Sequence, residues 1–445
     1  MVVYPTSLDL LIEGRAYING SLMEVSIGIV GGKIAWIGKY SKAPPAAQVV
    51  HLQSKEILLP GMVDMHVHMR DLEEASKEDW YTGTLSALAG GVTFVADMPN
   101  NRPPARSLEV LKVKQREASR KALVDYGFYA GLPASSAELS RMIEFGVVGL
   151  KLYPDDLERD CLVESLRLAA AKGLLVVAHA EDPTILRLAE AIEPKDIRRH
   201  CLLRPIEAEA AGVRLLDYLR SKLGFQLHLT HISSARALFT ALGCKLRGGV
   251  TLDTAIHYLF LDEGIVESVG GIAKVNPPLR RERDVRVLLT ALAAGMLDAV
   301  VSDHAPHRLE EKLSCEYEKT PPGFPGLELC LPLLLTLIRE KGLPLTILDC
   351  YSKFPARLLG LLKGAISVGY EADLTVVDLS EKWRVRGECL SSKAKYTPFE
   401  GFEVVGVVRK VFIRGVLAYD SGEVMVDGGF GRRYRPIHKH RVPEA

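Results

Sequence analysis

From Ile57 to about residue 358, short apolar runs alternate with helix-length segments, the texture of repeated βα units that build a parallel sheet. The runs are VDMHVH (63–68), VTFVADM (92–98), VDYGFYA (124–130), VVGLKL (147–152), LLVVAH (174–179), FQLHLTH (225–231), GVTLDT (249–254) and LDAVVSD (297–303). Eight such strands suit a closed (β/α)8 barrel of the TIM type. The flanks read differently. Residues 7–58 are short alternating runs (VSIGIV, KIAWIG, QVVHLQ) punctuated by Asn-Gly and Gly-Gly, as in small antiparallel hairpins. After Leu362 the β texture returns in GAISVGYEADLTVVDL and VVGVVRKVFIRGVLAYDSGEVMV. The pattern therefore predicts an α/β chain with a barrel over 59–362 and a small β-sandwich made by 1–58 together with 363–430. The basic segment GRRYRPIHKHRVPEA (431–445) reads as a solvated tail, with a docking segment as the alternative.

Composition narrows the class. With 445 residues, 48% hydrophobic and 25% charged, the chain has ample core and no disordered signature. Its 56 basic and 55 acidic residues offer no general attraction to nucleic acid or to an anionic membrane. Seven cysteines (161, 201, 244, 315, 330, 350, 389), odd in number and without a Cys-x-x-Cys pair, point to reduced thiols and a cytoplasmic location. The first thirty residues lack the basic start and apolar core of a targeting signal, and no stretch nears the ~20 apolar residues of a membrane span.

Five of the eight runs end in residues able to hold a metal: His66 and His68, Lys151, His179, His231 and Asp303. The carboxyl ends of barrel strands are where such folds build active sites, so five distant segments would converge on one mouth. His66 and His68 are two apart on a strand and share a face, so both can point at one ion. Alone, a His-x-His pair is more often packing or surface. Lys151 sits among strand apolars, where an uncompensated charge is costly; a snorkelling lysine or a buried ion pair is the plain alternative. The functional alternative is a neutral amine carboxylated by CO2, an anion able to bridge two metals, since burial favours the uncharged form this requires. His179 and His231 would then hold a second metal and Asp303 would complete the first. His228, His257 and His304 read as core residues or as supports behind the ligands, while His51 and His200 carry no argument.

The segments GMVDMHVHMRD, ALAGGVTFVADMPNNRPP, GLKLY, VVAHAED, HLTHISS, VNPPLR, SDHAPH and PPGFPGLE resemble the motif series of the dihydroorotases in the amidohydrolase superfamily. SSKAKYTPFEG and VFIRGVLAYDSGEV extend the similarity to the dihydroorotase domain of the animal multifunctional pyrimidine-biosynthesis protein. The resemblance implies reversible closure of N-carbamoyl-L-aspartate to dihydroorotate, a step of pyrimidine biosynthesis. It also implies two zinc ions bridged by carboxylated Lys151 and hydroxide, and a homodimer; association with an aspartate transcarbamoylase stays open. Carried over by motif, Arg70 and Asn100 face the substrate carboxylate, Asn276 and His307 line the same pocket, and Pro322 and Gly323 form a loop whose backbone faces the ring. Asp303 becomes the proton carrier, taking a proton from the attacking water and passing it to the departing nitrogen.

Two departures stand out. Pro154, Asp155 and Asp156 follow GLKLY where the animal domain has a Thr-Phe pair on a closing loop, so closure uses other residues or the loop is static. The run Thr254-Ala255-Ile256-His257-Tyr258 stands where relatives often have Pro-His-His, which argues against ligands there. Three other readings remain. A hydantoinase or dihydropyrimidinase would share the ligand series but leave Arg70 and Asn100 without an anion, a scaffold for aspartate transcarbamoylase would be expected to have lost ligands, and a mononuclear deaminase-like enzyme would not need Lys151.

Overall fold

The computed structural model describes residues 5–314 and 316–436. Cys315 and residues 437–445 of the basic segment lie outside the described residues. The strands are β1 (Leu8–Ile18), β2 (Ser21–Val30), β3 (Lys33–Gly38), β4 (Ala46–His51), β5 (Glu56–Pro60), β6 (Met62–Val67), β7 (Val92–Asp97), β8 (Asp125–Gly131) and β9 (Gly149–Leu152). They continue with β10 (Val176–Ala178), β11 (Leu227–Leu229), β12 (Val250–Ala255), β13 (Ala299–Val301), β14 (Leu374–Arg384), β15 (Glu403–Ile413), β16 (Val416–Asp420) and β17 (Glu423–Val424).

Strands β6 to β13 pair in sequence order, all in parallel. The ring closes where His68 N donates to His304 O at 2.8 Å beside a parallel bridge between Val67 and His304. Each of the eight predicted runs forms one of these strands. Nearly every barrel-strand residue is buried, as expected for a parallel sheet covered on both faces. The loops after β10 and β11 run straight into capped helices. Asp182 accepts from Thr184 N and Ile185 N to start Pro183–Ile192, and Ser234 accepts from Ala237 N to start Ala235–Lys245. The short connections hold the ends of those strands in fixed directions.

The remaining strands form one nine-stranded sheet in the order β17-β16-β15-β14-β5-β1-β2-β3, with β4 beside β1. Its N- and C-terminal parts meet at the antiparallel β5–β14 pair, Leu374 opposite Pro60. Asn19-Gly20 and Gly31-Gly32 make the β1–β2 and β2–β3 turns with φ of 47°, 86°, 57° and 77°, the left-handed geometry that two-residue hairpins require. Bonds from Ala372 N to Gly32 O and from Gly415 N to Ala372 O draw the β2–β3 and β15–β16 turns together, so the sheet curls over its own core. Side-chain alternation then divides the work. Leu58, Val376 and Phe412 face that small core, while Ile57, Leu59, Val377, Val411 and Ile413 join the barrel core.

The solvated reading of the C-terminal segment is corrected over its described part. Tyr126 N donates to Arg432 O (3.0 Å), Tyr434 N to Tyr126 O (2.7 Å) and Arg432 N to Asp125 Oδ1 (2.8 Å), at the start of β8. The Arg433 guanidinium stacks 3.6 Å from the Phe145 ring centroid and donates to Gln115. A run of basic residues reads as solvated charge, but its backbone finds ladder partners and an acidic acceptor, and the Arg433 guanidinium finds an aromatic face and an amide oxygen.

Asp125 also anchors a buried ionic knot beneath the barrel. Lys363 Nζ lies 2.8 Å from Asp125, 2.5 Å from Asp373 and 2.5 Å from Glu371, and Arg414 also binds Asp125. These three carboxylates could hold a cation by spacing, and the lysine ammonium is that cation. Lys363→Met should lower stability by about 3–5 kcal/mol, because buried carboxylates lose their counter-charge. Urea unfolding of the variant checks this, and a midpoint equal to the parent's would refute it. Cys161, Cys201, Cys244, Cys330, Cys350 and Cys389 are free, and among the described residues no helix is long and apolar enough to cross a membrane.

Candidate active site

The barrel mouth opens into a cavity of about 650 Å³ at the carboxyl ends of the strands. His66, His68, His179, His231 and Asp303 all line it. His66 and His68 each present Nε2 at 3.4 Å from Asp303 Oδ1. The His66 ring centroid lies 5.4 Å from that of His68 and 5.2 Å from that of His231, and His231 lies 4.5 Å from His179. Four imidazoles from three strand ends thus crowd one spot. His231 and Asp303 both have φ of 47°, a left-handed backbone that costs non-glycine residues energy and that turns each chain sharply at its strand end.

Lys151 lies at the base of this group with 0% exposure. Its Nζ has no hydrogen-bond partner among the described residues and stands 5.3 Å from the Tyr153 ring centroid. Burial pulls its pKa down to about 7 against the opposing pull of Asp303. Burial likewise pushes Asp303 up to about 7, and it holds His66, His179 and His231 below the usual histidine range and His68 down to about 3. Among the described residues the protein alone therefore assembles neutral imidazoles, an amine without a hydrogen-bond partner and an acid 3.4 Å from two of those imidazoles. Neutral nitrogens with lone pairs directed into a cavity are the donor form that metals require, so the set fits divalent ions. The ligand atoms of His66, His68 and Asp303 lie within 4.8 Å of one another, a spacing that could hold one ion.

On the same cavity wall, Arg70 Nε donates to Pro306 O at 3.0 Å and its Nη2 lies 3.0 Å from His307 Nε2. Pro322 O also lies 3.0 Å from His307 Nε2, so this nitrogen either accepts from the guanidinium or donates to the carbonyl, and Nδ1 is buried without a partner among the described residues. Asn276 Oδ1 is buried and unpartnered as well. Pro322 and Gly323 complete this wall; Gly323 has φ of 120°, and a Cβ there would lie 2.6 Å from Ala305 O, so only glycine fits. Arg106, Arg187 and Arg204 also face the cavity. Asn100 stands at the rim, but its Oδ1 is already engaged by His68 Nδ1 at 2.6 Å, which leaves its amide nitrogen for a ligand.

The family model described as Amidohydrolase family matches residues 57–418. A dihydroorotase of Methanosarcina mazei is 34% identical over 88% of this chain and 90% of its own length, and one of Methanothermobacter thermautotrophicus is 35% identical over 93% and 94%. The chain belongs to the dihydroorotases of the amidohydrolase family. In three dimensions it is similar to the L-hydantoinase (dihydropyrimidinase) of Arthrobacter aurescens, with TM-score 0.89, 27% identity and coverage of 96% of this chain and 99% of that one. A D-hydantoinase (dihydropyrimidinase) from a Thermus species gives TM-score 0.89 at 28% identity, with the same coverage.

Several residues of this dihydroorotase-family site escaped the sequence reading. His66 Nδ1 meets Thr230 Oγ1 at 2.7 Å, and that hydroxyl donates to Asp253 Oδ2 at 3.0 Å. Asp253 also accepts from His231 N and pairs with His228 Nε2 at 2.7 Å, so His228 supports from behind the ligands. Glu181 engages His179 Nε2 and is held in turn by Arg204. With Nε2 occupied, His179 has Nδ1 left for a metal. A carboxylate inside a buried strand (TLDT) and the Glu two residues after His179 were the available signals. His257 is wedged between the Tyr258 and Phe324 rings with neither nitrogen bonded among the described residues. The departing loop is a short helical turn, Pro154–Glu158, fastened by Arg106 to Asp156 (2.9 Å) and by Arg187 to Glu158 (2.6 Å).

Proposed function

We propose that this chain catalyses the dihydroorotase reaction, reversible cyclisation of N-carbamoyl-L-aspartate to (S)-dihydroorotate and water. The observation that supports it most is the pairing of two features in one cavity: a ligand group around Lys151, and a wall on which the Arg70 guanidinium can hold an anion while the buried Asn276 Oδ1, unpartnered among the described residues, can accept from a ring N–H. A cyclic ureide bearing a carboxylate needs both. Hydantoinase and dihydropyrimidinase substrates lack the carboxylate, so the likeness in fold to those enzymes supports only the second reading, which Arg70 disfavours.

In this reading Lys151 Nζ forms a bond to the carbon of CO2 and loses one proton, giving a carbamate anion between the two ligand subsets. Two zinc ions held by His66, His68 and Asp303 and by His179 and His231 would supply Lewis acidity and a water acidified to a pKa of about 7. Arg70 and the Asn100 amide grip the substrate carboxylate, and the Pro322–Gly323 backbone sets the plane of the ring. In hydrolysis Asp303 accepts the proton of the attacking water and delivers it to the departing ring nitrogen. In cyclisation Asp303 accepts the ureido proton and returns it to the departing oxygen. Thr230 and Asn100 fix the tautomers of His66 and His68.

The deciding experiment assays dihydroorotate, dihydrouracil and hydantoin side by side, with metal content per chain before and after chelation. Turnover of dihydroorotate, lost on chelation and restored by zinc, supports the reading; turnover of the uncharged rings alone overturns it. Arg70→Met should raise KM for dihydroorotate about 10- to 100-fold, the cost of charge-assisted hydrogen bonds, with metal content unchanged. An unaltered KM would remove Arg70 from that role. The reading extends to a cytoplasmic homodimer, checked by light scattering, and to association with an aspartate transcarbamoylase, checked by co-sedimentation.

A further inference from the structure

Behind the ring-facing wall of the cavity, outside the ligand group, lies another buried lysine. Lys312 ends the short helix Leu309–Lys312 and is 0% exposed. Its Nζ donates to two main-chain carbonyls, Lys274 O at 2.9 Å and Pro321 O at 2.8 Å, and none of its hydrogen bonds goes to a carboxylate. Burial, reinforced by Lys274 and Arg70, keeps it well below the ordinary lysine range. An apolar side chain of similar length would fill this space without that penalty, so the gain must lie in what Nζ holds.

Both carbonyls belong to segments that shape the cavity. Lys274 is two residues before Asn276, in the segment after β12, and Pro321 directly precedes Pro322 and Gly323 in the segment after β13. Lys274 O also accepts from Gly323 N at 2.8 Å. Pro322 O stands 3.0 Å from His307 Nε2. The first segment is pressed against the helix itself: a Cβ on Gly271 would lie 2.3 Å from Lys312 O. One ammonium or amine thus ties two loops together where both turn toward the cavity.

We propose that Lys312 is a positioning residue for substrate recognition: its two donated hydrogen bonds hold Asn276 and Pro322–Gly323 at a fixed separation, so that the ring-facing wall is preformed. The choice of substrate rests on the dihydroorotase reading, whereas the clamp does not. A wall that must be ordered by the substrate weakens binding by the cost of ordering it, while the hydrogen bonds of Lys312 go to Lys274 O and Pro321 O and not to Asp303. Loss of the clamp should therefore appear in KM rather than in kcat.

The test compares zinc-loaded parent and Lys312→Met, which removes the donors and keeps most of the volume, by metal content, steady-state kinetics on dihydroorotate and hydrogen exchange of the Gly323 amide. With metal content equal, KM should rise at least about tenfold with kcat changed far less, and the Gly323 amide should exchange at least about tenfold faster. Parent-like KM and exchange in the folded variant would overturn the proposal. If the methionine variant fails to fold, Lys312→Gln keeps a neutral NH2 at shorter reach and should give intermediate values; parent-like values there overturn it equally. A parent inert on dihydroorotate would sink the functional reading instead, and the exchange rates would still decide the clamp.

Discussion

Asp303→Asn is expected to lower kcat for dihydroorotate hydrolysis by about 10³-fold or more while leaving a folded protein that still binds substrate. Asparagine is the informative replacement because Asp303 has φ of 47°, a left-handed conformation that asparagine tolerates better than alanine or a branched residue. The backbone turn at the end of β13 should therefore survive. What is lost is the carboxylate oxygen 3.4 Å from both His66 Nε2 and His68 Nε2, and with it a proposed metal ligand and the acid proposed to carry the proton. Because Arg70 and His307 are untouched, calorimetric binding of a non-reacting substrate analogue should remain within about an order of magnitude of the parent, set by the charge-assisted hydrogen bonds they keep. A variant with kcat within tenfold of the parent would take Asp303 out of proton transfer.

Replacing Lys151 should have the other large effect, with a signature of its own. Lys151→Met is expected to abolish turnover and to lower metal content below that of the parent, since the anion joining the two ligand subsets cannot form. In the metal-free state the same variant should melt higher than the parent, because it removes a 0% exposed amine that has no hydrogen-bond partner. The pKa of about 7 sets the pH dependence of reconstitution. Above it the amine is neutral and can attack CO2; below it the protonated amine cannot. At a fixed CO2 pressure, recovery of activity by the metal-free parent should fall as pH drops through about 7, and omission of CO2 should suppress it at any pH. Full zinc loading and activity without CO2 would rule out the carbamate.

Much of the site was legible in the one-dimensional pattern because strand geometry is local. His66 and His68 share a face by their spacing of two, and each candidate ligand ended an apolar run, so convergence at one mouth followed from barrel closure. Local pattern failed where partners are distant. Nothing near His179 says that Arg204 holds the carboxylate on its Nε2, and nothing near Thr230 says that it meets His66 across the barrel. Residues 431–436 failed for the same reason: a basic stretch reads as solvated until Asp125 and Phe145 stand beside it.

The sequence by itself determined the strand periods, the turn chemistry at Asn19-Gly20 and Gly31-Gly32, the family and the residue types offered to a metal. Only the tertiary structure decided which nitrogen of each histidine faces the cavity, that the Lys151 amine has no partner, and that Lys312 joins two loops. Those properties depend on which atoms from remote strands come within about 3 Å, the reach of a hydrogen bond, and a side chain's own neighbours in the chain carry no record of that distance.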